Sequence, residues 1–213
     1  MSRNHLILVG LLGAFAATVT VAAATAPSPA PPLLRGIPQK EDPDMIAEWG
    51  VGDSFMAYFA TNEARASSAL PGSGTAYGAK NAFDGKVPTA WIEGADGDGV
   101  GQWVEYTLRD RSELSQNPSV NALAIFNGYR KSRDLWRKNG RVRRLRMSVN
   151  GKPWGEIALV DSFAYQKVNV KPFPIPSKRR SVVVRFTIAS VYRGTTYRDT
   201  ALSEIEFYGT GVL

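Results

Sequence analysis

Beyond residue 60, apolar positions recur every second residue in short runs, and turn-forming residues separate the runs. Such alternation sends successive side chains to opposite faces of a strand. In Arg144–Val149 it is strict: Leu145, Met147 and Val149 face one way, and Arg144, Arg146 and Ser148 the other. Asn150-Gly151 follows at once, a strong signal for a two-residue hairpin turn, and Trp154–Val160 is the expected return strand. The same reading makes strands of Gln102–Leu108, Val120–Phe126, Tyr165–Val170, Val182–Ala189 and Glu204–Tyr208. No segment after residue 60 keeps a 3.6-residue period long enough for a substantial helix, although one helical turn is expected between Tyr77 and Phe83. Short strands joined by long loops, notably 84–101 and 127–141, describe an all-β fold, a sandwich or a barrel, with binding residues on its loops.

The first sixty residues read differently. Arg3 and His5 precede an apolar run from Leu6 to Ala24, and small residues follow at Ala22, Ala23, Ala24 and Ala26. A basic start, an apolar middle and a small-residue exit are the parts of a secretory signal peptide, assigned to residues 1–26. The run is also long enough to span a bilayer if it is not cleaved, in which case it would be an anchor. Residues 27–59 are expected to form a Pro-rich linker and an N-terminal extension, of which the more apolar stretch from Asp44 onward packs on the domain at 60–213. An exported protein follows, periplasmic or secreted, which meets a membrane only through an uncleaved N-terminal segment.

Composition then removes chemistry. The 213 residues include no Cys, which excludes disulfides, thiolate nucleophiles and Cys-ligated zinc. The only His is His5, so a mature chain has no His base, Ser-His-Asp triad or His-held metal. The formal net charge of +7 suits an anionic partner without choosing one.

Four clusters could carry function. In Asn81–Trp91, Asp84, Gly85 and Thr89 could direct several oxygens at one Ca²⁺, or Asp84 could form an Asx-turn with its own backbone. In Glu93–Gly101 the acids lack the spacing of an EF-hand, and the glycines lack the Lys-Ser/Thr of a phosphate loop. This stretch reads as a mobile loop, and Glu93 with Asp96 or Asp98 is a loose match to a glycosidase carboxylate pair. Arg130, Lys131, Arg133, Arg137, Lys138, Arg141, Arg143, Arg144 and Arg146 are opposed by Asp134 alone, with Tyr129 and Trp136 interleaved. That pattern fits single-stranded nucleic acid, an anionic glycan or a solvated face, and export disfavours nucleic acid. Finally, Tyr192, Arg193, Tyr197 and Arg198 precede a strand on which Glu204 and Glu206 share one face and Ile205 and Phe207 the other. An inward acid there needs a cation or donors, and one Ca²⁺ shared by Asp84 and Glu204 would satisfy both.

Several motifs fall in a familiar order: Ala66-Ser67-Ser68-Ala69-Leu70, Tyr77 to Gly85, Thr89 to Gly94, Gly99 to Trp103, Asn127-Gly128-Tyr129, Asn139 to Val142, Val191 to Gly194, Tyr197 to Ala201 and Ser203-Glu204-Ile205. Over residues 60–213 the chain resembles the NADase-type glycan-binding domain, a discoidin-like (coagulation factor 5/8 type C) branch of the galactose-binding-like jelly rolls. The resemblance implies a two-layer β-sandwich that binds carbohydrate without transforming it. It also implies a structural calcium held by Asn81 (carbonyl), Asp84 (carboxylate), Lys86 (carbonyl), Thr89 (hydroxyl and carbonyl), Ser203 (carbonyl) and Glu204 (carboxylate). Lys86 departs from the pattern, since its ammonium must point away while its carbonyl binds.

Loop chemistry, rather than the motifs, nominates the ligand surface: Trp91, Glu93, Tyr129, Arg133, Trp136, Tyr192, Tyr197 and Arg198. Trp and Tyr stack on sugar faces, Arg forks hydroxyls or carboxylates, and Glu93 accepts from hydroxyls. Trp103 is assigned to the core because it alternates with Glu105. The expected partner is a glycan or polysaccharide and not a nucleic acid. The rival readings are an envelope adhesion protein that holds anionic polymer without sugar specificity, and a carboxylate-based glycan hydrolase.

Overall fold

Alternation becomes strand wherever one set of side chains can be buried. Val104, Tyr106 and Leu108 are all buried on one face of their strand, and Leu145, Met147 and Val149 on one face of theirs. The computed structural model describes residues 30–40, 60–72, 76–110, 117–176 and 180–210. The signal peptide assigned to residues 1–26 and the packing expected of residues 44–59 lie outside the described residues. Pro31–Leu213 make up one compact unit of the chain. No helix among the described residues is long and apolar enough to cross a membrane.

Eleven strands are present among the described residues. They are β1 (Leu33–Arg35), β2 (Ile37–Pro38), β3 (Ala60–Ala66), β4 (Trp91–Ile92), β5 (Trp103–Leu108), β6 (Ser119–Asn127), β7 (Gly140–Val149), β8 (Lys152–Ala158), β9 (Gln166–Pro174), β10 (Val182–Tyr192) and β11 (Thr200–Thr210). Hydrogen bonding runs in the order β2-β9-β6-β11-β7-β10-β5-β3, with β8 on β7, β1 on β8 and β4 on β11. The path is continuous only because β11 meets β7 over Thr200↔Gly140 and Ala201↔Arg141. On either side of that junction lie the layers of a sandwich. Phe207 of β11 touches Phe186 of β10 and Tyr106 of β5, strands with which β11 shares no ladder, at ring separations of 6.2 and 6.3 Å. Ring contacts between strands that do not pair place the core between two packed faces.

The hairpin at Asn150-Gly151 forms as expected, joining β7 to β8 with φ of +49° and +75°. Both values lie in the left-handed region that a type I′ turn demands. The Asn150 side chain then accepts from the Val183 N–H at 2.9 Å, tying the turn to β10.

Two expectations change. Residues 33–38, read as linker, are strands: β1 runs parallel to β8 in one layer, and β2 pairs antiparallel with β9 in the other. Short edge strands tolerate proline because one row of their N–H groups has no ladder partner to serve. The 127–141 loop contains a helical turn, α1 (Arg133–Lys138), capped by Ser132, whose hydroxyl accepts from the Leu135 N–H at 3.1 Å. Asp134 in its first turn and Arg137 and Lys138 in its last complement the peptide dipole.

Candidate functional site

The 79–91 loop begins with a 3₁₀ turn at Ala79–Ala82, held from below by the Tyr106 hydroxyl, which donates to the Ala82 carbonyl at 3.2 Å. The Asn81 side chain ties the loop's ends by donating to the Ala76 and Ala90 carbonyls. Asp84 does form the Asx-turn, its Oδ1 accepting from the Lys86 N–H at 2.9 Å. The same N–H reaches Glu204 Oε2 at 3.3 Å, so the two acids meet although 118 residues separate Lys86 from Glu204.

Oxygen crowds this point. The Thr89 hydroxyl lies 2.9 and 3.0 Å from the two Asp84 carboxylate oxygens, 2.7 Å from the Lys86 carbonyl and 3.3 Å from the Asn81 carbonyl. One hydroxyl has one proton, so it cannot satisfy four acceptors. Glu204 is wholly buried, and its Oε1 has no hydrogen-bond partner. Burial first, then the charges of Glu206 and Asp84, push its carboxyl up to about 9. Among the described residues no three His, Cys, Asp or Glu side chains gather as a metal cluster. What converges here is two carboxylates with neutral oxygens, a donor set that fits the hard, oxygen-seeking Ca²⁺ and balances its charge. Lys86 is exposed. Ser203 is buried, and its hydroxyl accepts from the Arg130 N–H at 2.9 Å.

Four of the first five residues of β11 hold the neighbouring loops. The Thr200 N–H donates to Glu93 Oε1 at 3.0 Å, and the Thr200 hydroxyl donates to the Asp98 carbonyl at 2.9 Å. The Ala201 carbonyl accepts from Gly128, Ser203 holds Arg130, and Glu204 reaches Lys86. The loop after β10 docks on α1, where the Thr195 N–H donates to the Arg137 carbonyl and the Thr196 and Tyr197 N–H groups to that of Lys138. Asp98 is clamped by Arg193 at 2.9 Å and Arg198 at 2.8 Å. The Arg198 hydrogen bond is the main reason its carboxyl sits below the usual range. The 93–101 segment, expected to be a mobile loop, is therefore held at several points.

The eight expected ligand residues divide. Trp91 is core: it is 0% exposed, and its indole N–H donates to the Ser68 carbonyl at 2.9 Å. Glu93 is equally buried, with its carboxylate oxygens accepting from the Thr200 and Ala95 N–H groups, so it has no oxygen to offer a sugar. Burial raises its pKa above the ordinary value, and the backbone hydrogen bonds oppose that shift. Tyr129 is buried with Ala90, Ile92 and Ala201, edge-on to Tyr77. These three do not form a ligand surface, because each fills space under the loops. Tyr192 is half-buried, its hydroxyl donating to the Leu159 carbonyl. Arg133, Tyr197 and Arg198 are exposed, and Trp136 is half-buried beside them on α1. Trp103 reverses its expectation: residues two apart on a strand share a face, so alternation with Glu105 puts it outside, where Arg185 lies 3.9 Å above its ring.

Sequence reasoning missed Phe163. Arg130 lies between its ring and that of Phe126, Arg133 stacks on it at 4.4 Å, and Trp136 meets it edge-on at 5.8 Å. No periodic signal marks an aromatic residue in a loop. The basic stretch also breaks up. Arg141 is buried against Asp161 and Trp136, and Arg144 and Arg146 share Glu156.

Strand order, opposed layers and a loop crest hung on the last strand define a discoidin-like, galactose-binding-like jelly roll. Residues 57–208 match the family described as the NAD glycohydrolase translocation F5/8 type C domain, and the chain belongs to that family. Among solved structures, the C-terminal domain of a chitobiase from Bacteroides fragilis is similar at 16% identity, covering 76% of this chain and 99% of that one, with a TM-score of 0.50. CpGH89CBM32-5 from Clostridium perfringens, solved in complex with GalNAc-β-1,3-galactose, is 19% identical, covering 68% of this chain and 94% of that one, with a TM-score of 0.48. No curated protein matches the sequence.

Proposed function

We propose that this chain is an exported, non-catalytic carbohydrate-binding module with a structural calcium. The observation that carries the reading is the crest at the β11 end of the sandwich. There α1 presents Arg133 and Trp136 beside Phe163, and the docked 193–198 loop adds Tyr197 and Arg198. Aromatic faces pack on the apolar faces of sugar rings, and guanidinium groups fork hydroxyl or carboxylate oxygens. A discoidin-like family fold supports the same reading.

Asn81, Asp84, Lys86, Thr89, Ser203 and Glu204 would hold the calcium, with Asp84 and Glu204 supplying its charge balance. When bound, the ion would neutralise two converging carboxylates and brace the loop. This chain's own residues do the rest: Glu204 and Asp84 secure the Lys86 N–H, Ser203 secures Arg130, and Glu93 joins the 93–95 turn to β11. The hydrolase reading is weakened at Glu93 and Asp98, which leaves the exposed Asp96 alone. Glu93 spends its oxygens on backbone N–H groups, and Asp98 is held ionised between two arginines. The polymer-adhesion reading is weakened because Arg144 and Arg146 of β7 share Glu156 and Arg185 of β10 pairs with Glu105, which leaves Arg143 as the exposed arginine of β7 without an acidic partner.

A glycan array probed with the secreted protein, with calcium and with chelator, tests the proposal. Binding to defined sugars, weakened by chelator and by Tyr197→Ala, is the expected result. Silence on neutral and anionic glycans alike overturns it.

A further inference from the structure

A stack of rings and guanidinium groups runs from the sheet to the surface beside α1. Tyr165 stacks on Phe126 at 5.3 Å, and the Arg130 guanidinium lies 5.0 Å from the centre of the Phe126 ring and 4.6 Å from that of Phe163. The Arg133 guanidinium then lies 4.4 Å over Phe163. Tyr165, Phe126 and Arg130 are buried and Arg133 is exposed, so Arg133 is the outermost rung. Trp136 braces Phe163 edge-on at 5.8 Å, its indole N–H donating to the Asn127 carbonyl at 3.0 Å.

Stacking occupies the face of a guanidinium and leaves the N–H donors at its rim. Arg133 spends those donors on no hydrogen bond or ion pair with any described residue. The acids of the surrounding loops are committed elsewhere. Asp134 pairs with Lys138 at 2.7 Å, Asp161 takes the Arg141 fork at 3.1 and 2.8 Å, and Asp98 sits between Arg193 and Arg198. Asp199 is close enough to Glu93 to help raise its carboxyl. Arg137, one turn along α1 on the same side as Arg133, is exposed and likewise has no acid. Like charges four residues apart on a helix repel each other, and an anion between them would turn that repulsion into attraction. At the other end of α1, the Tyr197 N–H is seated on the Lys138 carbonyl, and the Tyr197 ring makes no side-chain hydrogen bond or ring contact with any described residue.

We propose that the crest takes a glycan bearing an acidic substituent, a carboxylate or a sulfate, and that Arg133, with Arg137 beside it, selects that substituent. The inference rests on the carbohydrate-binding reading and names the substrate class of the same crest. Carboxylate and sulfate both offer the paired oxygens that a guanidinium fork matches. Because the stack on Phe163 holds the Arg133 fork before any ligand arrives, less side-chain freedom is lost on binding. The Tyr197 ring is left to carry the apolar face of a sugar.

Calorimetric titrations of the secreted protein with trigalacturonic acid, a carrageenan oligosaccharide carrying galactose 4-sulfate, neutral galactotriose and acetylated, amidated triglutamate test it. The wild type is expected to bind an acidic sugar about tenfold or more tighter than galactotriose, and the tighter of the two acidic sugars names the substituent. Arg133→Ala should weaken acidic binding about tenfold and leave galactotriose within about twofold. Arg133→Lys should recover only part of the loss, because an ammonium is not a fork. Lys152→Ala, the same charge change at an exposed position of β8, should alter neither. Arg133 is exposed, so its variants keep the fold, which melting curves verify, and Arg137→Ala gives a second, smaller fall. An acidic preference unchanged in both Arg133→Ala and Arg137→Ala, or lost equally in Lys152→Ala, overturns the inference. So does triglutamate bound as tightly as trigalacturonic acid, since charge alone would then suffice. Neutral sugar binding that responds to Tyr197→Ala, with no acidic preference, overturns the selection alone. Failure of the wild type to bind any saccharide overturns the carbohydrate-binding reading together with it.

Discussion

Replacing Glu204 with Gln separates the two roles of that carboxyl, and the magnitude follows from its surroundings. Its side chain is wholly buried, one oxygen has no partner, and burial, with Glu206 and Asp84 nearby, raises its pKa from 4.5 to about 9. In the metal-free protein the folded state therefore keeps a proton that the unfolded chain has already lost. Stability is greatest below the unfolded value, falls as pH rises through the window from 4.5 to about 9, and levels off above it. At about 1.4 kcal/mol for each pH unit, the loss by neutral pH is about 3 kcal/mol. For a domain of this size that is roughly 6–12 °C in melting temperature. Gln preserves shape and can still accept from the Lys86 N–H, but it does not ionise. In chelator, the wild type should lose more melting temperature between about pH 5 and about pH 8 than Glu204→Gln, whose remaining slope comes from Glu206 and Glu93, both also raised by burial. Millimolar calcium binds the ionised form, so it should restore the wild type, more so at the higher pH, and leave Glu204→Gln unmoved. Thermal melts by circular dichroism in the four conditions decide the matter. A metal-free wild type as level as the variant refutes the buried-carboxyl argument, and a calcium shift of equal size in the variant refutes the site.

Three further outcomes follow from the packing. Trp91→Ala should cost about 3–5 kcal/mol in urea unfolding because it empties the core, whereas Trp103→Ala should cost less than half of that because its ring lies outside under Arg185. Gly36→Ala should destabilise by about 1–3 kcal/mol, since a Cβ there would sit 2.6 Å from Gln166 Oε1 and 2.8 Å from a Leu159 methyl; thermal melts measure it. Tyr197→Ala, at a residue 47% exposed, should leave unfolding within about 0.5 kcal/mol of wild type while weakening glycan affinity about tenfold in titration, and unchanged affinity removes Tyr197 from the ligand surface.

Strand pattern was legible wherever a strand is long and one face is buried, as in β7, and the Asn150-Gly151 turn followed from backbone sterics alone. Convergence of Asp84 and Glu204 was legible as a need: an inward acid requires partners, and the motif order pointed to the Asn81–Thr89 loop. Trp91 and Trp103 were not separable in the same way. β4 has two residues, too few for a period, and in β5 the side facing the core is fixed by Val104 and Tyr106, which leaves Trp103 with Glu105 outside. Glu93 was misread because its partners, the Thr200 and Ala95 N–H groups, are backbone atoms that no residue type announces. The strands at 33–38 were hidden by proline, which marks linkers and tolerated edge strands alike. Helix α1 did carry a signal, in Ser132 as its cap and Asp134 in its first turn, but it is too short to show a 3.6-residue period.

Why the crest could bind at all depends on what holds it. A loop ordered only by its ligand must be immobilised during binding, and each ordered side chain then costs about 0.5–1.5 kcal/mol. Here the ordering is done beforehand by β11. Thr200, Ala201, Ser203 and Glu204 each hold a different neighbour through Glu93 and Asp98, Gly128, Arg130 and Lys86. α1 then carries the 195–197 backbone on its last carbonyls. Because Glu204 belongs to this run and also meets the Asp84 turn through the Lys86 N–H, a cation bound between Asp84 and Glu204 would stiffen the same strand end from which the crest hangs. Calcium would then act on glycan affinity without touching the sugar, through a strand whose inner face is locked by Ile205 and Phe207 in the core.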